Sequence, residues 1–352
     1  MTVTRLWIGT YPAAGAGTPA GLGEGIWSVE LDPATGALGG AHLAAATPAP
    51  SFLAVHPAGR VVYAAGETAS GTVTSFAAGP RGELGALAVV SSGGADPCHL
   101  LLAPDAQTLY VANYSSGTLG VLPLDADGAF TRDVLTAGGP VQVFAHAGSG
   151  PDAARQDGPH AHFVALAPGS AHLLVVDLGT DELRRFRIET GGLLTADGVA
   201  ATLPPGTGPR HLAAGPGGLL YVLGELDVSV RVLRWDAATA TAAPVQALEA
   251  TAAPLRSGRH VYPAHVVLDG DRLLVSVRGA DVVATFAVDA ATGGLAPAGQ
   301  ADSGGSWPRH FARVDGWTVV ANQLTHTLTA LGPTTPTASL ALPSPACVVP
   351  AR

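Results

Sequence analysis

The chain contains no lysine, and all 18 of its Lys-plus-Arg positions are Arg. That excludes a Schiff-base lysine, and the Gly-Lys pair of a phosphate-binding P-loop cannot be written here. Cysteine is nearly absent: Cys98 and Cys347 alone predict a reducing compartment and no disulfide framework. Charged residues make up only 13% and the net charge is -9. A nucleic-acid or anionic-membrane partner would need a basic stripe, so neither is expected. No uncharged apolar stretch approaches the roughly 20 residues of a spanning helix. The N-terminal residues do not combine a basic segment with an apolar one, so no signal peptide is read and the cytoplasm is the expected location. GxSxG, HExxH and paired-cysteine patterns are missing too, which argues against a nucleophile-elbow hydrolase and against those zinc sites.

Glycine and proline are plentiful, 46 and 28 of 352 residues, and 47% of the chain is hydrophobic. Disordered chains are charge-rich and poor in Val, Leu and Ile; this composition is the reverse and implies a compact, turn-rich protein. One pattern recurs: an apolar run, a Pro/Gly/Asp turn, a second apolar run and a polar tip. It reads SFLAVHPAGRVVYAAGE at 51–67, PCHLLLAPDAQTLYVANY at 97–114, HAHFVALAPGSAHLLVVDLG at 160–179 and PRHLAAGPGGLLYVLGE at 209–225. It returns as PAHVVLDGDRLLVSVRG at 263–279 and PRHFARVDGWTVVANQ at 308–323. A second hairpin follows most copies, as at Trp27–Leu38, Gly120–Phe130, Arg187–Leu194 and Phe286–Leu295, which makes four antiparallel strands per repeat. Helical periodicity is absent over any useful length. Asp125–Gly128 is a hairpin turn, and residues 15–25, with weak GxG spacing, read as a loop rather than a nucleotide cradle.

Two fragments complete the count. RLWIGTY at 5–11 matches TLYVANY at 108–114 and is a second strand without its first, while PACVVP at 345–350 is a first strand that stops. Joined, they make a seventh repeat and close a ring that leaves no exposed sheet edge. The expected fold is a single-domain, all-β, seven-bladed propeller over residues 1–352, with an open sandwich as the alternative.

In such a hairpin, residues before the first strand and after the second share one rim. That rim collects His160, His162, Arg210, His211, Glu225, Arg278, Arg309, His310, Asn322 and Gln323, and in equivalent positions Tyr11, Glu67, Asn113, Tyr114 and Asp177. Arg, His and Glu converging on a channel mouth predict a small-molecule site.

At these residues the chain resembles the seven-bladed propeller lactonases of the 6-phosphogluconolactonase type, which are related to fungal carboxymuconate lactonising enzyme. The resemblance rests on GSGP, RQ and PHAH within 146–163, and on WIGTY (7–11), VANYSSG (111–117), VDLGTD (176–181), GPRHLA (208–213), GEL (224–226) and WPRHF (307–311). It implies a histidine, two arginines and a glutamate at the site: His162 or His160, Arg210, Glu225 and Arg278. Departures are Gly224 and Val277, where the family usually has Asn, and His265, where an acidic residue is common. The implied reaction is hydrolysis of a sugar lactone, with Glu225 or His162 as base and Arg210 and Arg278 as clamps for carboxylate and oxyanion. Arg309 with His310 is the candidate phosphate holder, and His211, Asn113, Asn322 and Gln323 complete the candidate substrate-binding set. His99, His211 and His310 have an equally good architectural reading. No cofactor is implied, and Glu225 as the one strong carboxylate of the core motifs predicts independence from metal. A muconate-type or other sugar lactone, and a non-catalytic binding propeller, are the competing functions. Monomer and dimer are both open.

Overall fold

The computed structural model describes residues 3–12, 20–253, 260–332 and 336–351. Among them, seven four-stranded antiparallel sheets stand around one axis. Blade 1 runs outward from Pro345–Pro350 through Thr4–Thr10 and Gly25–Leu31 to Leu38–Ala46. The C-terminal strand is therefore the inner strand of the first blade, with Leu6 opposite Pro350 and Trp7 opposite Val349. The inner strands of blades 2 to 7 are Pro50–Val55, Pro97–Leu102, Ala161–Leu166, Pro209–Ala214, Tyr262–Asp269 and Pro308–Val314. Together with Pro345–Pro350 they touch in a closed ring. The two half-repeats do close the wheel, and the open sandwich is ruled out.

Burial follows position in the blade. Second strands such as Val61–Gly66, Thr108–Asn113 and Leu219–Gly224 are buried along their whole length, because neighbouring blades cover both faces. Their residues are accordingly apolar on both sides rather than alternating. Outer strands meet solvent, and Leu295–Asp302 is exposed at all but its first residue. The closing blade packs like the others: Leu6, Ile8, Val29 and Leu31 share one core with Val314, Val319 and Leu328 of blade 7.

A buried tyrosine needs a partner for its hydroxyl, and the repeat supplies one. Tyr63, Tyr110 and Tyr221, equivalent residues of three second strands, donate to Gly128, Gly192 and Gly293 carbonyls in the outer hairpin of the next blade, at 2.5, 2.8 and 2.9 Å. Trp317 Nε1 does the same across the closure, donating to Pro33 O of blade 1 at 3.0 Å.

One element departs from expectation. A six-residue helix, Arg132–Ala137, lies between the third strand of blade 3 and its short outer strand Gln142–Ala145. It spans fewer than two turns, too short for a 3.6-residue period to register. It ends at Gly138, with φ of 67°, whose N–H donates to Leu135 O, a glycine-type terminus. The turn at Asp125 is as read, its carboxylate accepting from the Asp127 and Ala129 N–H groups. In segment 15–25, residues 15–19 lie outside the described residues, and 20–24 form neither strand nor helix. Among the described residues no helix is long and apolar enough to cross a membrane.

Candidate active site

All seven inner strands carry a β-bulge at the same place, where two residues oppose one on the second strand. The pairs are 346/347, 51/52, 98/99, 162/163, 210/211, 264/265 and 309/310. A bulge re-aims side chains at the rim of a closed sheet, and here it produces two layers around the axis. The first member of several pairs (Cys98, His162, Arg210 and Arg309) lines a cavity of about 390 Å³ at one end of the channel, a volume suited to a small ligand. Six of the seven second members, all but Cys347, form a collar beneath it. Phe52, His99, Phe163, His211, His265 and His310 contact one another in a complete circuit, with ring centroids 3.8 to 5.7 Å apart. Only a narrow space of about 20 Å³ reaches down from the cavity toward His211 and His310.

Glu225, directly after the second strand of blade 5, is fully buried and bound by three guanidiniums. Arg210 Nη1 donates to its Oε2 at 2.6 Å, Arg278 Nη2 lies 2.9 Å from the same oxygen, and Arg155 Nη2 donates to Oε1 at 2.6 Å. Burial alone would raise the Glu225 carboxyl, but Arg278, Arg210 and Arg155 outweigh it and hold it well below the usual carboxylate range. The arginines are fixed in turn. Arg210 Nε donates to Ala264 O at 2.8 Å, and Arg278 sits between Tyr262 and Trp307, 5.4 and 5.5 Å from their ring centroids. His162 Nε2 lies 2.7 Å from Arg210 Nη1. A guanidinium can only donate, so Nε2 accepts and the ring proton sits on Nδ1. Burial and then Arg210 push the His162 imidazole well below its ordinary value, so it is neutral.

Arg155 arrives on the segment between blades 3 and 4. His146 Nδ1 bonds Asp177 Oδ2 at 2.7 Å, and Gln156 Nε2 donates to Leu178 O at 2.9 Å. Asp177 Oδ1 also accepts from the N–H groups of His160 and Gly179. The segment crosses so close that a Cβ on Gly179 would lie 1.9 Å from Gly158 O, and this explains the glycine in VDLGTD. His160, at the segment's end, stacks on Tyr114 at 4.4 Å and contacts Asp157 Oδ1 at 3.2 Å.

The opposite wall is built from blades 1, 2 and 7. Arg309 Nη2 lies 3.7 Å from Glu67 Oε1, its guanidinium covers the Tyr11 ring at 4.3 Å, and Nη1 donates to Gln323 Oε1 at 3.4 Å. Burial raises the Glu67 carboxyl, and Arg309 with the Ser51 and Tyr11 hydroxyls offsets this only in part.

Of the residues named from sequence, His160, His162, Arg210, Glu225, Arg278 and Arg309 line this cavity together with the rim residues Tyr11, Glu67 and Tyr114, whereas Asp177 does not. His211 and His310 lie beneath it in the collar. His211 Nδ1 faces His265 Nδ1 at 3.0 Å, and His310 Nδ1 accepts from Val348 N–H. Burial, then Arg210, lowers His310 to about 3, so it offers no charge to a phosphate beside Arg309. Gln323 reaches the cavity only through Arg309. Asn113 and Asn322 do not line it: their amides donate to the Thr118 and Thr329 hydroxyls within blades 3 and 7, and to Ser92 O and Ser303 O just past the outer strands of blades 2 and 6. Two departures from the family pattern also point away. A Cβ on Gly224 would lie 2.1 Å from Asp227 Oδ1, and Val277 belongs to the core shared by blades 5 and 6. Arg155 is the principal residue that sequence reading left without a role; its only signal was the RQ pair of the long segment. Cys98 also lines the cavity, but burial and then Glu67 raise its thiol well above the ordinary value.

The model of the family described as "Lactonase, 7-bladed beta-propeller" matches residues 5–350. The chain is 31% identical over 333 residues to the 6-phosphogluconolactonase of Bacillus subtilis (strain 168), covering 93% of this chain and 90% of that protein. The solved structure of the Pseudomonas aeruginosa periplasmic gluconolactonase superposes with a TM-score of 0.85 at 27% identity, covering 100% of this chain and 99% of that one. A Lactobacillus plantarum protein of known structure gives 0.86 at 29% identity, with full coverage of both chains. A seven-bladed wheel with its ends in one blade, matched by this family model over nearly its whole length, places the chain in the seven-bladed β-propeller lactonase family.

Proposed function

We propose that the cavity hydrolyses a phosphorylated sugar δ-lactone, 6-phosphoglucono-δ-lactone, to its open-chain acid, 6-phosphogluconate. The observation that carries this reading is the charge distribution within a protein of net charge -9. Arg155, Arg210 and Arg278 share one carboxylate, Glu225, so that wall keeps two positive charges in excess. The Arg309 wall is balanced by Glu67. A doubly charged phosphate is accordingly assigned to the three-arginine side, with Arg155 and Arg278 as its holders, rather than to Arg309 as the motif reading had it. The lactone carbonyl then lies toward Arg210 and Arg309, whose guanidiniums stabilise the oxyanion as water adds. Glu225 acts as the anchor that aims the arginines: it is a weak base, since both oxygens are engaged and its carboxyl is held acidic. His162 is likewise a weak base, because Arg210 occupies its one lone pair. The reaction is read as metal-independent because both Glu225 oxygens already accept from guanidiniums. The cytoplasm is proposed from the two free, buried cysteines.

The test is initial-rate hydrolysis of 6-phosphoglucono-δ-lactone with EDTA present, corrected for spontaneous opening. Wild-type protein is expected to accelerate it, and Arg210→Ala to lose at least about tenfold in kcat/KM, or about 1.4 kcal/mol of barrier. A wild-type rate equal to the blank contradicts the function, and near-normal kinetics for Arg210→Ala contradict the role of that residue.

A further inference from the structure

Lactone hydrolysis needs a group to take a proton from the attacking water, and the Glu225 cluster provides none. We infer that Glu67 is this base: it borders the cavity in the wall opposite Glu225, and its buried Oε2 makes no hydrogen bond among the described residues. This assignment rests on the lactonase reading above.

Three observations support it. Glu67 is 9% exposed, yet it borders both the main cavity and the narrow space below it. Its Oε1 is 3.7 Å from Arg309 Nη2, whereas Oε2 has no well-aligned hydrogen bond among the described residues, the Ser51 and Tyr11 hydroxyls lying near the carboxyl without bonding that oxygen in line. A buried carboxylate oxygen left in this state is costly unless a ligand or a water uses it. The two glutamates of the cavity are also electrostatic opposites, because three guanidiniums hold Glu225 acidic while burial raises Glu67. Two carboxyls pushed apart in this way divide the work, one as fixed anchor and the other as proton acceptor.

The groups facing Glu67 come from every adjoining blade: Arg309 from blade 7, Tyr11 from blade 1, Cys98 from blade 3 and Arg210 from blade 5. Tyr11 is raised, by burial and then by Glu67 itself, and Cys98 is raised by burial and then by Glu67. Both stay neutral near pH 7, so neither competes for the proton. Asp96 acts on Tyr11 and Cys98.

In the step, a water oxygen bonds to the lactone carbonyl carbon while Glu67 takes one of its protons, and the carbonyl π pair moves to the oxygen beside the arginines. Collapse re-forms the carbonyl and breaks the bond to the ring oxygen. That oxygen takes the electron pair and receives the proton back from Glu67. The products are a carboxylic acid, which ionises, and a hydroxyl, and Glu67 ends as carboxylate.

The experiment is the pH dependence of kcat and KM for wild type, Glu67→Gln and Glu67→Asp on 6-phosphoglucono-δ-lactone. Wild type is expected to lose kcat/KM as pH falls, through an acid limb above the ordinary glutamate value of about 4.3. Glu67→Gln is expected to lose about 100-fold in kcat, with KM changed less than threefold and the acid limb gone. Glu67→Asp is expected to restore the limb at a reduced rate. A Glu67→Gln enzyme within threefold of wild-type kcat, with its limb intact, overturns the assignment and leaves the lactonase reading standing, because wild type still turns over. A wild type that hydrolyses no lactone above the blank removes both. If Glu67→Gln does not fold, the wild-type profile decides: a limb above the ordinary glutamate range supports Glu67, and one at or below that range overturns it.

Discussion

Glu225 shows how one residue can hold a site together without doing its chemistry. Among the described residues its carboxylate is the only negative charge in contact with Arg155, Arg210 and Arg278, and removing one partner from a buried ion cluster leaves the others uncompensated. Glu225→Gln is therefore expected to destabilise the fold by about 3 to 5 kcal/mol and to abolish most activity. The urea midpoint read beside the kinetics checks this, and an unchanged midpoint would show that the guanidiniums do not need their anchor. These residues were legible in the sequence to unequal degrees. Arg210, Glu225 and Arg278 sit at strand ends, where the period of the repeat fixes which rim they join. Arg155 sits in a segment with no period, pinned by Asp177 and Gln156, so nothing in its spacing places it over the cavity. Asn113 and Asn322 share the rim position yet bond to their own blades and to the end of the blade before. Strand position fixes the height of a residue on the wheel, and the side-chain partners decide whether it faces the hole.

The inner strand does more than the hairpin pattern announces. Its repeated bulge turns a single ring of side chains into two, an upper layer that supplies His162, Arg210 and Arg309 to the cavity and an aromatic layer closing the channel below. No alternation of polar and apolar residues reveals a bulge, so His99, His211 and His310 could be read equally as ligands or as architecture. The collar has a consequence for stability. Burial holds His99, His211, His265 and His310, and His162 above them, well below the ordinary imidazole value. The unfolded chain thus takes up protons that the folded one refuses. Their stability contribution is complete above about pH 6.5 and is lost as pH falls below it, at up to about 1.4 kcal/mol per pH unit for each imidazole. Glu67 has the opposite sign and is outnumbered. Thermal melts should drop steeply between about pH 6.5 and 5, and His265→Phe should flatten that slope. A melting temperature flat across this range contradicts neutral burial of the collar.

The wheel as a whole depends on its seam. Pro345–Pro350 pairs with Thr4–Thr10, Tyr11 N–H donates to Ser344 O, and the Trp317 indole bonds blade 7 to blade 1. Deleting residues 345–352 opens Thr4–Thr10 as a sheet edge and uncovers the apolar core around Leu6 and Ile8. The truncated chain is expected to aggregate or elute expanded on size-exclusion chromatography, and a compact monomer with unchanged melting would show that the seam is dispensable. The same closure sets seven inner strands around one axis, so that an acidic molecule presents four arginines at a single mouth. The most direct test of that arrangement is the ratio of kcat/KM for 6-phosphoglucono-δ-lactone to that for unphosphorylated glucono-δ-lactone, in wild type and in Arg155→Met. At least a tenfold preference for the phosphorylated lactone, falling toward parity in the variant, is expected. Equal ratios in both proteins would contradict a phosphate held by the three-arginine wall.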